Sequence, residues 1–175
     1  MSPHLAKTEH FPLDPREIGA PYQQKAIEGM VETITHNNEI LALILRASFS
    51  ESGVHFLTPD EFSQQLGYMR HPKGKVIEPH IHNETLRTIT LTQEVLFIRK
   101  GKLRVDFYDK RQSYLESRVL SAGDVILLSA GGHGFEALEE LEMIEVKQGP
   151  YVGVADKTRF KPAPHDIKLG QDTQA

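Results

Sequence analysis

In the second half of the chain, apolar and polar residues alternate with a period of two. Leu103, Val105 and Phe107 interleave with Lys102, Arg104 and Asp106, a pattern that sends one side of an extended strand to a core and the other to water. Similar short runs occur at Val95–Ile98, Tyr114–Leu120, Val125–Leu128 and Met143–Lys147. Turn-forming stretches separate them: Arg99-Lys-Gly-Lys102, Asp109–Ser113, Ser121-Ala-Gly-Asp124 and Gly149-Pro150. Short strands at such intervals predict an antiparallel barrel or sandwich. Ile40–Leu45 is a continuous apolar run beside Asn37-Asn38, which reads as one more strand, buried on both faces.

Helical periodicity is confined to two places. From Tyr22 to about Asn37, apolar Ile27, Met30, Val31 and Ile34 recur at helical spacing, predicting an amphipathic helix whose stripe serves core or dimer packing. Thr58-Pro59-Asp60-Glu61 has the capping threonine, first-turn proline and acidic third position of a helix start, with Gly67 closing a short helix. Residues 1–21 and 156–175 are polar and proline-bearing and read as arms, the second able to reach another subunit. Residues 22–155 form the expected domain.

Bulk properties narrow the function. At 175 residues there is room for one domain with a proper core. A hydrophobic content of 39%, a charged content of 25% and a net charge of −4 fit a soluble protein without a nucleic-acid footprint. No apolar run approaches the roughly 20 residues of a membrane span. Met1–His10 lacks the apolar centre of a secretory signal, so a cytoplasmic location is expected. There is no cysteine, so any metal must take nitrogen and oxygen ligands.

The candidate chemistry begins at Gly74-Lys-Val-Ile-Glu-Pro-His80-Ile-His82. Two imidazoles at i and i+2 on an extended strand share a face, their backbones roughly 6–7 Å apart, within reach of one metal ion. Glu94 opens Glu-Val-Leu-Phe-Ile-Arg-Lys-Gly101, and His133 ends Gly123-Asp-Val-Ile-Leu-Leu-Ser-Ala-Gly-Gly-His. Gly131-Gly132-His133-Gly134 reads as too flexible for ordinary strand. Each residue has a plainer reading: His80 and His82 as polar residues of an edge strand, His133 as a loop histidine, Glu136 as a surface carboxylate, Arg87 as a solvated arginine.

The order and spacing of these residues resemble the cupin superfamily, in particular small single-domain bacterial cupins. Cupins carry a first motif G-x5-H-x-H-x3–4-E-x6-G, which Gly74, His80, His82, Glu94 and Gly101 follow, and a second motif G-x5-P-x-G-x2-H-x3-N, which Gly123, Gly131 and His133 follow in part. The likeness covers about residues 70–150. It implies a mainly β fold, a double-stranded β-helix or jelly-roll barrel, here with the N-terminal helix and one short helix added. It also implies one divalent metal (Fe, Mn, Ni, Co or Zn) held by His80, His82, Glu94 and His133 at the barrel mouth, and a homodimer.

Two departures stand out. Eleven residues separate His82 from Glu94, and Arg87 occupies the family's usual glutamate spacing. Ser129 replaces the proline of the second motif, with one residue fewer before the histidine.

The expected function is a metal-dependent cupin enzyme acting on a small polar metabolite, a sugar derivative of surface-polysaccharide metabolism being one candidate. The metal would activate O₂ or polarise a carbonyl, Arg87 would hold an anionic group, and Glu136 would serve as acid or base. The alternatives are a metal-free sugar-nucleotide isomerase or epimerase using the histidines as acid and base, and a non-enzymatic binding module. No phosphate-binding glycine loop, dinucleotide fingerprint, zinc-protease motif or nucleophile elbow is present.

Overall fold

A computed structural model describes residues 30–162. Over that range the chain is mainly β, with ten strands in three antiparallel sheets. The first five strands are β1 (Val31–His36), β2 (Glu39–Leu45), β3 (Gly53–Phe56), β4 (Gly67–Arg70) and β5 (Glu94–Lys100). The other five are β6 (Lys102–Tyr108), β7 (Tyr114–Ser121), β8 (Val125–Leu128), β9 (Gly132–Ala137) and β10 (Glu142–Lys147). One sheet runs β1-β2-β8-β5-β10, a second β7-β6-β9, and β3-β4 is a separate hairpin. Among the described residues no helix is long and apolar enough to cross a membrane.

The helix expected over Tyr22–Asn37 is not formed where it can be seen: residues 22–29 lie outside the described range, and Val31–His36 is strand. The stripe at helical spacing coincided with a β-branched run, Val31, Thr33, Ile34 and Thr35, which prefers the extended backbone. The sequel decides it. Asn37 and Asn38 both take positive φ, 49° and 63°, as a two-residue type I′ hairpin turn requires, and β1 pairs back onto β2. The short helix expected from Thr58 is likewise a turn, with Phe62 N–H donating to the Pro59 carbonyl. Thr58 is used differently from a cap. Its buried hydroxyl accepts from Leu66 N–H at 3.1 Å and donates to Gln65 at 2.8 Å.

The main core lies between the two larger sheets. Leu41, Ile44, Leu96, Ile98, Ile126 and Leu128 from the first meet Leu103, Val105, Phe107 and Leu120 from the second. Residues 49–68 cover the other face of the five-stranded sheet, where Phe49, Leu57 and Leu66 pack on Leu45, Val95 and Leu127. The chain passes from one sheet to the other at Gly101, whose φ of 80° and close approach to the Glu140 carbonyl leave no space for a side chain. Asp124 anchors this frame: buried, it takes Arg46 at 2.9 Å, Ala47 N–H at 2.8 Å and Ser121 N–H at 3.0 Å.

No closed barrel is found among the described residues. Strands β10 and β9 are edge strands, and residues 71–92 form no strand. The extended strand expected over Val76–His82 is therefore not made. Pro79 has no N–H for a ladder and Pro72 and Gly74 break the approach, and every residue from His71 to Thr92 is exposed.

Candidate functional site

Strand alternation decides which side chains reach the end of the core. On β5, Glu94 shares the parity of Leu96 and Ile98, both core residues. On β9, His133 is the register partner of Phe107 and Phe135 that of Val105, again on the core side of the sheet. The two sheets thus offer a carboxylate and an imidazole to each other at one end of the core. His133 Nε2 lies 3.2 Å from Glu94 Oε2. Glu94 is buried, and the hydrogen bond donated by His133 holds its carboxyl below the ordinary value against the opposing effect of burial. The charges of Lys157 and Lys147 act in the same direction as that bond.

The flexible loop expected at Gly131–Gly134 is strand from Gly132 onward, paired to β6 through Ala137. Its first two glycines are explained by crowding. Gly131 has φ 69° and a Cβ there would stand 2.7 Å from the Tyr108 carbonyl, while one at Gly132 would meet Tyr108 and the Phe160 ring, both at 3.2 Å. Ser129, where the motif has proline, donates its N–H to the Leu41 carbonyl at 2.9 Å and its hydroxyl to the Ile40 carbonyl. A proline there could make neither bond.

A cavity of about 620 Å³ opens onto the pair, lined by Glu94, Tyr108, His133 and the segment Asp156–Phe160. Lys147, directly across the ladder from Glu94, pairs with Asp156 at 3.0 Å and lies 5.5 Å from the Tyr151 ring centre. Phe160 packs edge-on against Tyr108, ring centres 5.1 Å apart.

The other expected residues lie elsewhere. His80 and His82 hold each other, ring centres 5.2 Å apart, on the exposed 71–92 segment. His80 Nδ1 donates to the Glu78 carbonyl at 3.0 Å, which leaves Nε2 with its lone pair, the form of imidazole that binds metals. Arg87 borders a separate cleft with Asp60, Phe62, Ser63 and Gln65. Glu136 has the opposite parity to His133 on β9 and pairs with Arg104 at 2.6 Å, on the side away from the core. The four residues expected to share a metal are thus present as two pairs. Among the described residues no three His, Cys, Asp or Glu side chains stand close enough to hold one ion, so this arrangement does not fit a metal centre.

The chain matches no family model, no curated protein and no solved structure. The site must be read from its own chemistry.

Sequence reasoning missed Asp156, Lys157, Arg159 and Phe160, assigning them to a free arm. One signal was available: Phe160 is the only aromatic residue after Tyr151, an apolar ring in a polar tail that needs somewhere to pack. The register of Lys147 with Glu94 puts it on the inner face of the sheet.

Proposed function

We propose that this chain is a cupin-type enzyme acting on a small polar metabolite, with Glu94 and His133 as its reactive pair. The observation that carries the reading is the 3.2 Å contact between them at the end of the core, beside a cavity large enough for a sugar-sized molecule. A carboxylate that accepts from Nε2–H fixes the imidazole's orientation and tautomer, leaving the lone pair on Nδ1. Nδ1 is then the nitrogen that takes a proton from a substrate carbon next to a carbonyl and returns it at the same or the neighbouring carbon. The net result is isomerisation or epimerisation, with no change in oxidation level and no co-substrate. In this reading the jelly-roll barrel of the cupins is the parent fold, left open along the edges of β9 and β10.

A second reading, a metal-dependent cupin, is favoured by the paired rings of His80 and His82 and by the tautomer of His80. It requires residues 71–92 to adopt another arrangement that brings both imidazoles to Glu94 and His133, and no chemical step is derived for it.

One experiment separates the two. Untagged protein is incubated with Fe(II), Mn(II), Ni(II) and Zn(II) in turn, analysed for bound metal, and assayed by NMR for deuterium uptake from D₂O into a panel of sugar derivatives. His133→Ala and His80→Ala/His82→Ala variants run beside it. Deuterium uptake without metal, lost in His133→Ala and kept in the double variant, is the expected result. Stoichiometric metal lost in both variants transfers the reading to the metal-dependent cupin, and neither uptake nor metal overturns both.

A further inference from the structure

The cavity at Glu94 and His133 is lined by two cations that its own paired carboxylates do not take up. Its two carboxylates each have a partner: Glu94 has His133 at 3.2 Å and Asp156 has Lys147 at 3.0 Å. Two further cations line the same cavity, Lys157 and Arg159. Neither is in an ion pair with a described residue, and the charge of Lys157 reaches far enough to lower the Glu94 carboxyl. Because Lys147 takes Asp156 and His133 takes Glu94, Lys157 and Arg159 are left as the lining cations without an acidic partner among the described residues.

The segment that carries Lys157 and Arg159 is fixed in place at both ends. Asp156 is tied to Lys147 on β10, and Phe160 is packed on Tyr108 and over Gly132. Gly132 precedes His133, so the contact that seats the segment is made next to the reactive pair. Two cations two residues apart, clamped over an otherwise neutralised cavity, meet the requirements of a doubly charged anion better than those of a neutral sugar.

We propose that Lys157 and Arg159 are the specificity residues of the cavity and bind the phosphoryl group of a phosphorylated metabolite. This rests on the reading of the Glu94–His133 cavity as the substrate site. The phosphate would sit between the C-terminal segment and β9, leaving the carbon skeleton toward His133. Arg159 offers its planar fork of N–H donors to two phosphate oxygens and Lys157 a point charge to a third.

The test uses inorganic phosphate as probe, by isothermal titration calorimetry on the full chain. Phosphate is expected to bind the parent protein, with affinity falling about tenfold for Lys157→Gln or Arg159→Gln, the loss of one charged hydrogen bond. Lys110→Gln, which removes the same charge at a surface pair with Glu39, should leave binding unchanged. Phe160→Ala keeps both cations but releases their seat, and should also weaken phosphate.

Equal phosphate affinity in the parent and the Lys157→Gln/Arg159→Gln variant overturns the proposal, as does acetate binding more tightly than phosphate. The deuterium-uptake assay keeps this separate from the function itself. Uptake that depends on His133 with phosphate binding indifferent to Lys157 and Arg159 removes this inference alone. Phosphate binding that depends on both cations, with no uptake by any sugar phosphate, removes the acid–base reading and leaves the anion site standing.

Discussion

Glu94 and Lys147 are direct register partners across the β5–β10 ladder, so a buried carboxylate and an ammonium group leave the same end of one sheet on its inner side. Lys147 then turns to Asp156, and His133 from the facing sheet takes Glu94. A hydrogen-bonded pair and an ion pair therefore close the end of the core, and each crosses from the five-stranded sheet to an element outside it.

The first prediction concerns pH. Glu94 titrates below its ordinary 4.5 in the folded protein because His133 donates to it. A carboxyl with a depressed folded pKa adds stability above its unfolded value, and that stability is lost as pH falls through the folded value. The parent should therefore lose unfolding free energy as pH drops from about 5 through the acid range. Glu94→Gln should show a flatter acid limb and a neutral-pH cost of about 1–3 kcal/mol. Urea melts from neutral pH downward check both, and parallel acid limbs in the two proteins would disprove the assignment.

Asp124 is predicted to matter for folding rather than chemistry. It accepts from Arg46, from Ala47 N–H just after β2 and from Ser121 N–H at the β7–β8 turn, and Arg46 in turn holds Glu32 on β1. Asp124→Ala strands these donors and should cost about 2–4 kcal/mol, read as a lower urea midpoint. Deuterium uptake per folded molecule should be unchanged.

Gly131→Ala should be worse than a typical surface change. Its φ of 69° is a left-handed conformation, and a Cβ would press on the Tyr108 carbonyl at 2.7 Å and on Leu41 at 3.0 Å. The conformation alone costs about 1–2 kcal/mol, and the backbone contact adds to it because β6 cannot yield without moving β9. A thermal midpoint within a degree of the parent would refute this.

The β5–β8 region was legible because alternation and turn chemistry agree there: Leu103, Val105 and Phe107 face one way, and Gly101 and Gly123 sit at positive φ where turns were expected. Glu94 and His133 were singled out by motif spacing, and the facing sheets bring them together. The rest was not legible for separate reasons. Val31–His36 carries apolar residues that satisfy both periods, and only the pairing with β2 resolves them. Gly132 suggested a loop, yet it is small because Tyr108 and Phe160 crowd it. Lys157 and Arg159 follow no spacing rule. They reach the cavity because Phe160 finds Tyr108, a long-range contact that local pattern does not encode.

The segment 71–92 gives the last prediction. It joins β4 to β5 with no strand, and Ile81 and Leu86 are 92% and 97% exposed, so its backbone is open to a protease. Among the described residues, trypsin should cut the native protein first after Lys73, Lys75 or Arg87, before any site in β5 to β10. The same digestion reports on His80 and His82. If a metal draws them to Glu94 and His133, saturating Mn(II) or Zn(II) should slow cutting at Arg87 several-fold in the parent and leave the His80→Ala/His82→Ala variant unaffected. Equal rates in parent and variant at saturating metal would remove the metal-dependent reading and leave the Glu94–His133 pair to act alone.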